Sequence, residues 1–157
     1  MKVIHRPIVL AVFAVLCTAA QAHDKHAPLN EEQTVFLKQY EIARAALAAN
    51  NLPAAKKATG VVAALTVIHH ESSGIDAPPG FVQDARKFID ATSLEAAREI
   101  FKSYSRRAVN VADQKPGYFV VHCSFAGNND QDWVQSTAKV GNPYLGAKIG
   151  ICSPSDK

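Results

Sequence analysis

Leu94, Ala97, Phe101, Tyr104, Ala108 and Val111 recur at alternating spacings of three and four. That rhythm puts all six on one side of an α-helix, so the chain must fold around at least one long amphipathic helix with an aromatic face. Thr92 followed by Glu95 reads as a capping box at its start. Lys115-Pro116-Gly117 then breaks the pattern.

The same period is visible upstream. Asn30 with Gln33 resembles a capping box, and Phe36, Tyr40, Ala43 and Leu47 follow on one helical face, with an end expected at Asn50-Asn51. Pro53 suits the first turn of a second helix, where its missing N–H is not needed. Ala58, Val61, Val62, Leu65 and Ile68 give that helix its apolar stripe up to Ser72-Ser73-Gly74. The short connection predicts that the first two helices are antiparallel neighbours. Pro78-Pro79-Gly80 opens a shorter helix carrying Phe81, Ala85, Phe88 and Ile89.

After Gly117 the character changes. Tyr118 to Cys123 is rich in β-branched and aromatic residues, as a strand is. Gly127-Asn128-Asn129-Asp130 reads as a turn, Trp133-Val134 as an apolar anchor, Gly141-Asn142-Pro143-Tyr144 as another turn, and Ala147 to Cys152 as a returning strand. The expected fold is mainly α, an up-and-down four-helix bundle with a small C-terminal β or loop cap.

Residues 1–22 read as a cleavable signal peptide. Lys2 and Arg6 precede the apolar run Ile8 to Leu16, and Ala20-Gln21-Ala22 supplies the small residues that signal peptidase needs. The run is short of the roughly 20 residues that span a bilayer. Cys17 is preceded by Leu16, where a lipoprotein carries a small residue. Residues 23–29 are expected to be a flexible lead-in and 30–157 a single helical domain with its cap. Cleavage leaves 135 residues, one domain with a core. The expected location is periplasmic or secreted.

Removing Lys2 and Arg6 lowers the formal charge from +3 to +1. No basic stripe interleaved with aromatics is left to suggest nucleic acid, and no second apolar run is long enough for a membrane span after cleavage. The mature chain keeps two of three cysteines, Cys123 and Cys152. In an oxidising compartment they are expected either to form a disulfide or to serve as thiolate ligands. His122 beside Cys123 makes a soft-metal pair for Cu(I), Ag(I) or zinc, although a regular strand points neighbours to opposite faces. His69-His70-Glu71 fits a helix C-terminus, where imidazolium meets the dipole favourably. His23 and His26 offer a terminal chelate. The chain lacks Cys-x-x-Cys, His-Glu-x-x-His, Gly-x-Ser-x-Gly and phosphate-loop motifs, and its carboxylates share helix faces with Lys and Arg. The expectation is a non-enzyme.

Val121-His122-Cys123, Trp133, Asn142-Pro143-Tyr144, Gly146, Lys148 and Cys152, with Arg98, Phe101 and Ser105, carry a resemblance spanning Val35 to Cys152. The chain resembles the bacterial domain-of-unknown-function family found as small exported proteins and fused to heavy-metal efflux adaptor subunits of the membrane-fusion type. That family usually has Pro-Met after the cysteine and a methionine three positions before the last cysteine. The resemblance implies a copper or silver site and a partner among metal-efflux components or other periplasmic proteins. Here Ser124, Phe125 and Ile149 replace those residues. His122, Cys123 and Cys152 remain as a candidate metal set, with a Cys123–Cys152 disulfide as the alternative.

Overall fold

The computed structural model describes residues 27–73, 81–124, 131–146 and 151–154, with side chains left undescribed at 66–73, 81–82, 151, 153 and 154. The signal-peptide segment, His23, His26, the Gly127 to Asp130 turn, Phe125, Lys148 and Ile149 lie outside the described residues. So do the side chains of Ile68, His69, His70, Glu71 and Phe81.

The protein is mainly helical with a small C-terminal sheet. Among the described residues four helices, α1 (Glu31–Ala48), α2 (Leu52–Ser73), α3 (Phe81–Asp90) and α4 (Leu94–Ala112), precede β1 (Phe119–Ser124), β2 (Gln131–Gln135) and β3 (Ile151–Pro154). Helix α1 starts as its capping box dictates. The Asn30 side chain accepts from Gln33 N at 2.8 Å, and the Gln33 side chain accepts from Asn30 N at 3.0 Å. Asn50 ends the segment with φ 59°, a left-handed conformation that Asn tolerates better than most residues. The Asn51 side chain then accepts from Ala54 N at 3.1 Å, opening α2 around Pro53.

Two expectations at the helices are corrected. The N-cap of α4 is Ser93 rather than Thr92, its hydroxyl accepting from Ala96 N at 3.1 Å. Glu95 therefore sits in the first turn, where its charge meets the helix dipole, and does not complete a capping box. On α2 the buried side is Ala55, Ala58, Thr59 and Val62, while Val61 and Leu65 are exposed. Small residues face the neighbouring helices and turn the larger ones outward. Thr59 satisfies its buried hydroxyl by donating to Ala55 O at 3.0 Å.

The core gathers Leu37, Tyr40 and Leu47 of α1 with Phe88 of α3 and Phe101, Tyr104 and Ala108 of α4. Phe101 stacks on Tyr40 at 5.1 Å and meets Phe88 at 6.1 Å. Such offset and tilted ring pairs suit the aromatic quadrupole.

The sheet is antiparallel, in the order β2-β1-β3. The Trp133 anchor is thus part of a strand, and the returning strand expected over 147–152 is found at Ile151–Pro154, with 147–150 outside the described residues. Alternation divides β1: Val121 and Cys123 are buried, while His122 and Ser124 are exposed. Val120 and Val134 pack on the helical core, and Val121, Cys123 and Trp133 form a second cluster with Val140, Tyr144 and Cys152. Val140 and Tyr144 bring the 136–146 loop onto that second cluster.

Candidate functional site

Cys123 and Cys152 are direct partners in the β1–β3 register, with Cα atoms 4.2 Å apart, and they form a disulfide. Closing a loop of 29 residues' separation stabilises the fold by about 3 to 4 kcal/mol on the chain-entropy model. The bond ties edge strand β3 to central strand β1. Cys123 is fully buried and Cys152 half-buried.

Asn142 spans the sulfurs and the loop. Its Oδ1 accepts from Tyr144 N at 2.8 Å and Leu145 N at 3.0 Å, an Asx turn that explains the Asn-Pro-Tyr sequence. With the oxygen so committed, Nδ2 faces the disulfide, 3.6 Å from Cys123 Sγ and 3.5 Å from Cys152 Sγ.

Three further groups hold the loop. Buried Gln135 accepts from Trp133 Nε1 and Gly141 N, each at 3.2 Å, and donates to Thr137 O at 2.5 Å and Lys139 O at 3.2 Å. Arg44, only 5 % exposed, grips Glu41 through Nε and Nη2 and donates from Nη1 to Gly141 O at 2.7 Å. Arg98 donates from Nε to Pro143 O at 2.9 Å, and from Nη2 to Leu47 O at 3.1 Å and Asn50 Oδ1 at 2.6 Å. Desolvation pulls the Arg98 guanidinium pKa below its ordinary value.

Beneath the loop runs a buried line of hydroxyls. Tyr144 donates to Ser105 Oγ at 2.8 Å, Ser105 Oγ lies 3.0 Å from Tyr40 OH, and Tyr40 OH accepts from Val134 N at 3.4 Å. Burial pushes the phenols of Tyr40 and Tyr144 well above the ordinary tyrosine range. Trp133 meets Tyr144 edge-on at 6.0 Å. Gly146 has φ +66°, and a Cβ there would run into Asn50 Oδ1 and Arg98 Nη2. Trp133, Asn142, Pro143, Tyr144 and Gly146 are therefore parts of one docking device between the cap and the helices.

Of the candidate metal set, the structure brings Cys123 and Cys152 together and places His122 apart from them. His122 is on the other face of β1, where its Nδ1 lies 2.6 Å from Asp132 Oδ1 and its Nε2 3.5 Å from Ser124 Oγ. The disulfide also occupies both sulfurs, so the three residues in this arrangement do not fit a shared metal ion. Among the described residues no group of three or more His, Cys, Asp or Glu is set to hold one. The Asp132–His122–Ser124 line has the order of a proton relay, but His122 and Asp132 are about half exposed, at 48% and 51%. Water competes there for every charge a reaction would develop.

Sequence reasoning missed Arg44 and Gln135. Arg44 follows Tyr40 by four positions on the apolar side of α1, so the period itself placed it inward. For Gln135 the sequence offers no comparable signal. No described helix is long and apolar enough to cross a membrane. Comparison with family models, curated proteins and solved structures finds no match for the chain.

Proposed function

We propose that this chain is an exported, disulfide-stabilised helical module, an up-and-down four-helix bundle with a sheet cap, that works by docking to another protein and not by catalysis. The observation that carries this reading is the cross-strand disulfide Cys123–Cys152, which suits an oxidising compartment. Around it Gln135 ties the loop to β2, and Arg44, Arg98 and Ser105 fix the cap to the helices, which supports a rigid presenting surface. The motif likeness to proteins fused to metal-efflux adaptors nominates a periplasmic efflux component as the partner.

The test is thiol counting with metal analysis on protein taken from the periplasm under anaerobic conditions, followed by Ag(I) titration before and after mild reduction. The expected result is no free thiol and no silver uptake by the oxidised protein. Export should remove residues 1–22. Two free thiols carrying a bound copper or silver ion in the isolated protein would overturn the reading in favour of a soft-metal carrier. Pull-down of the oxidised chain on purified efflux adaptor should give a complex; failure to bind it would remove that partner.

A further inference from the structure

The Asn142 amide is aimed at atoms that have little use for it. A disulfide sulfur is a weak acceptor, whereas a thiolate is a strong one. The orientation is nonetheless fixed, because Asn142 Oδ1 already caps Tyr144 N and Leu145 N and leaves Nδ2 facing both sulfurs. The two cysteines also differ in burial. Cys123 is fully buried on the central strand, and Cys152 is half-buried on the edge strand β3.

We propose that Cys123–Cys152 is an exchange site for an external dithiol, with Cys152 as the sulfur attacked and Cys123 as the leaving group held by Asn142. In the first step the partner's thiolate bonds to Cys152 Sγ and the Cys123–Cys152 bond breaks. Its electron pair leaves on Cys123 as a thiolate that accepts from Asn142 Nδ2. The partner's second thiol loses its proton and attacks the partner sulfur of the mixed disulfide. This releases Cys152 as a thiolate and leaves the partner oxidised. Protonation of the two thiolates completes a two-electron reduction of this chain by one dithiol. The partner class is a dithiol oxidoreductase. Asn142 is a positioning residue, and its second set of bonds couples the exchange to the 141–146 loop.

This inference stands apart from the docking reading, since it concerns the chemistry of the bond and not what the surface meets. The experiment treats the oxidised full chain, without denaturant, with a monothiol such as glutathione and an alkylating quench that caps the freed thiol and so traps the mixed disulfide, and with dithiothreitol to follow complete reduction. Peptide mapping should find the glutathione adduct on Cys152, and dithiothreitol reduction should be independent of low urea concentrations. Asn142→Asp keeps an oxygen for the two backbone N–H groups but removes the amide donor and adds a charge. It should slow reduction about tenfold or more and raise the pH at which Cys123 of the reduced protein becomes alkylated. An adduct on Cys123, an unchanged rate in Asn142→Asp, or a rate that climbs with urea as global unfolding does would each overturn the proposal. Should Asn142→Asp fail to fold, the adduct position and the urea dependence of the unaltered chain decide it.

Discussion

The hydroxyl of Tyr144 donates to Ser105 Oγ at 2.8 Å, joining the cap loop to the buried face of α4. The same Ser105 oxygen lies 3.0 Å from Tyr40 OH, so one small side chain serves two buried phenols from α1 and the loop.

Ser105→Ala should therefore cost more than a lone serine hydroxyl. It removes the partner of two buried groups at once, a loss of about 2 to 3 kcal/mol. Tyr144→Phe removes one donor together with its need and should cost about 1 kcal/mol. Urea unfolding followed by tryptophan fluorescence reads both, since Trp133 packs against Tyr144. Equal losses in the two variants would contradict the shared role.

The phenols also set an alkaline limit. Burial raises the pKa of Tyr40, Tyr104 and Tyr144 in the folded state above the ordinary tyrosine value of about 10. The unfolded chain gives up these protons first, so the stability they contribute is fully present below about pH 10 and is lost as pH rises above it. Unfolding midpoints should hold between pH 7 and 9 and fall from pH 10 to 11. The fall should be smaller in Tyr144→Phe. A flat profile to pH 11 would contradict the raised pKa values.

Gly146 and Gly117 both have positive φ, +66° and +83°, but their surroundings differ. A Cβ at Gly117 meets no heavy atom within 4 Å, whereas one at Gly146 strikes Asn50 and Arg98. Gly117→Ala should cost about 1 kcal/mol for backbone conformation alone. Gly146→Ala should cost at least twice as much, because Arg98 must also release the loop. Thermal unfolding of the two variants checks the difference.

Arg44 forms a fork to Glu41 and a bond to Gly141 O. Lysine has one nitrogen and cannot reproduce three directed bonds. Arg44→Lys should destabilise by about 2 kcal/mol, reduced from the full cost of a buried pair because the Glu41 side chain is 20% exposed. Hydrogen exchange should then speed up at Gly141 more than in α4. Uniform acceleration throughout the chain would show that Arg44 acts on global stability and not on the loop.

Much of the helical part was legible in the sequence. Asn30 and Gln33 announced the start of α1 through chemistry that acts within one turn. The α4 period found Phe101, Tyr104 and Ala108 because a buried face repeats with the helix itself. Thr92 was one position from the true N-cap, since both Thr92 and Ser93 are good caps and only Ser93 has its hydroxyl on Ala96 N. Val61 and Leu65 misled because apolar character does not say which side of α2 its neighbours occupy.

The cap was less legible, for a related reason. β1 could be read from its own residues, whereas β2 and β3 exist through pairing with it. The sequence also left the Cys123–Cys152 pairing open between bond and ligand.

By itself, then, the sequence determined what local physics controls: where α1 begins, where the helical pattern breaks at Pro116-Gly117, and which α4 residues face inward. Tertiary structure alone decided that Cys123 and Cys152 stand opposite one another, that His122 faces away from them, and that Arg44, Arg98 and Gln135 converge on one loop. Such relations join residues up to 97 positions apart, as in the Arg44–Gly141 bond, and depend on how several elements pack together. No short stretch of chain contains the contact that selects them.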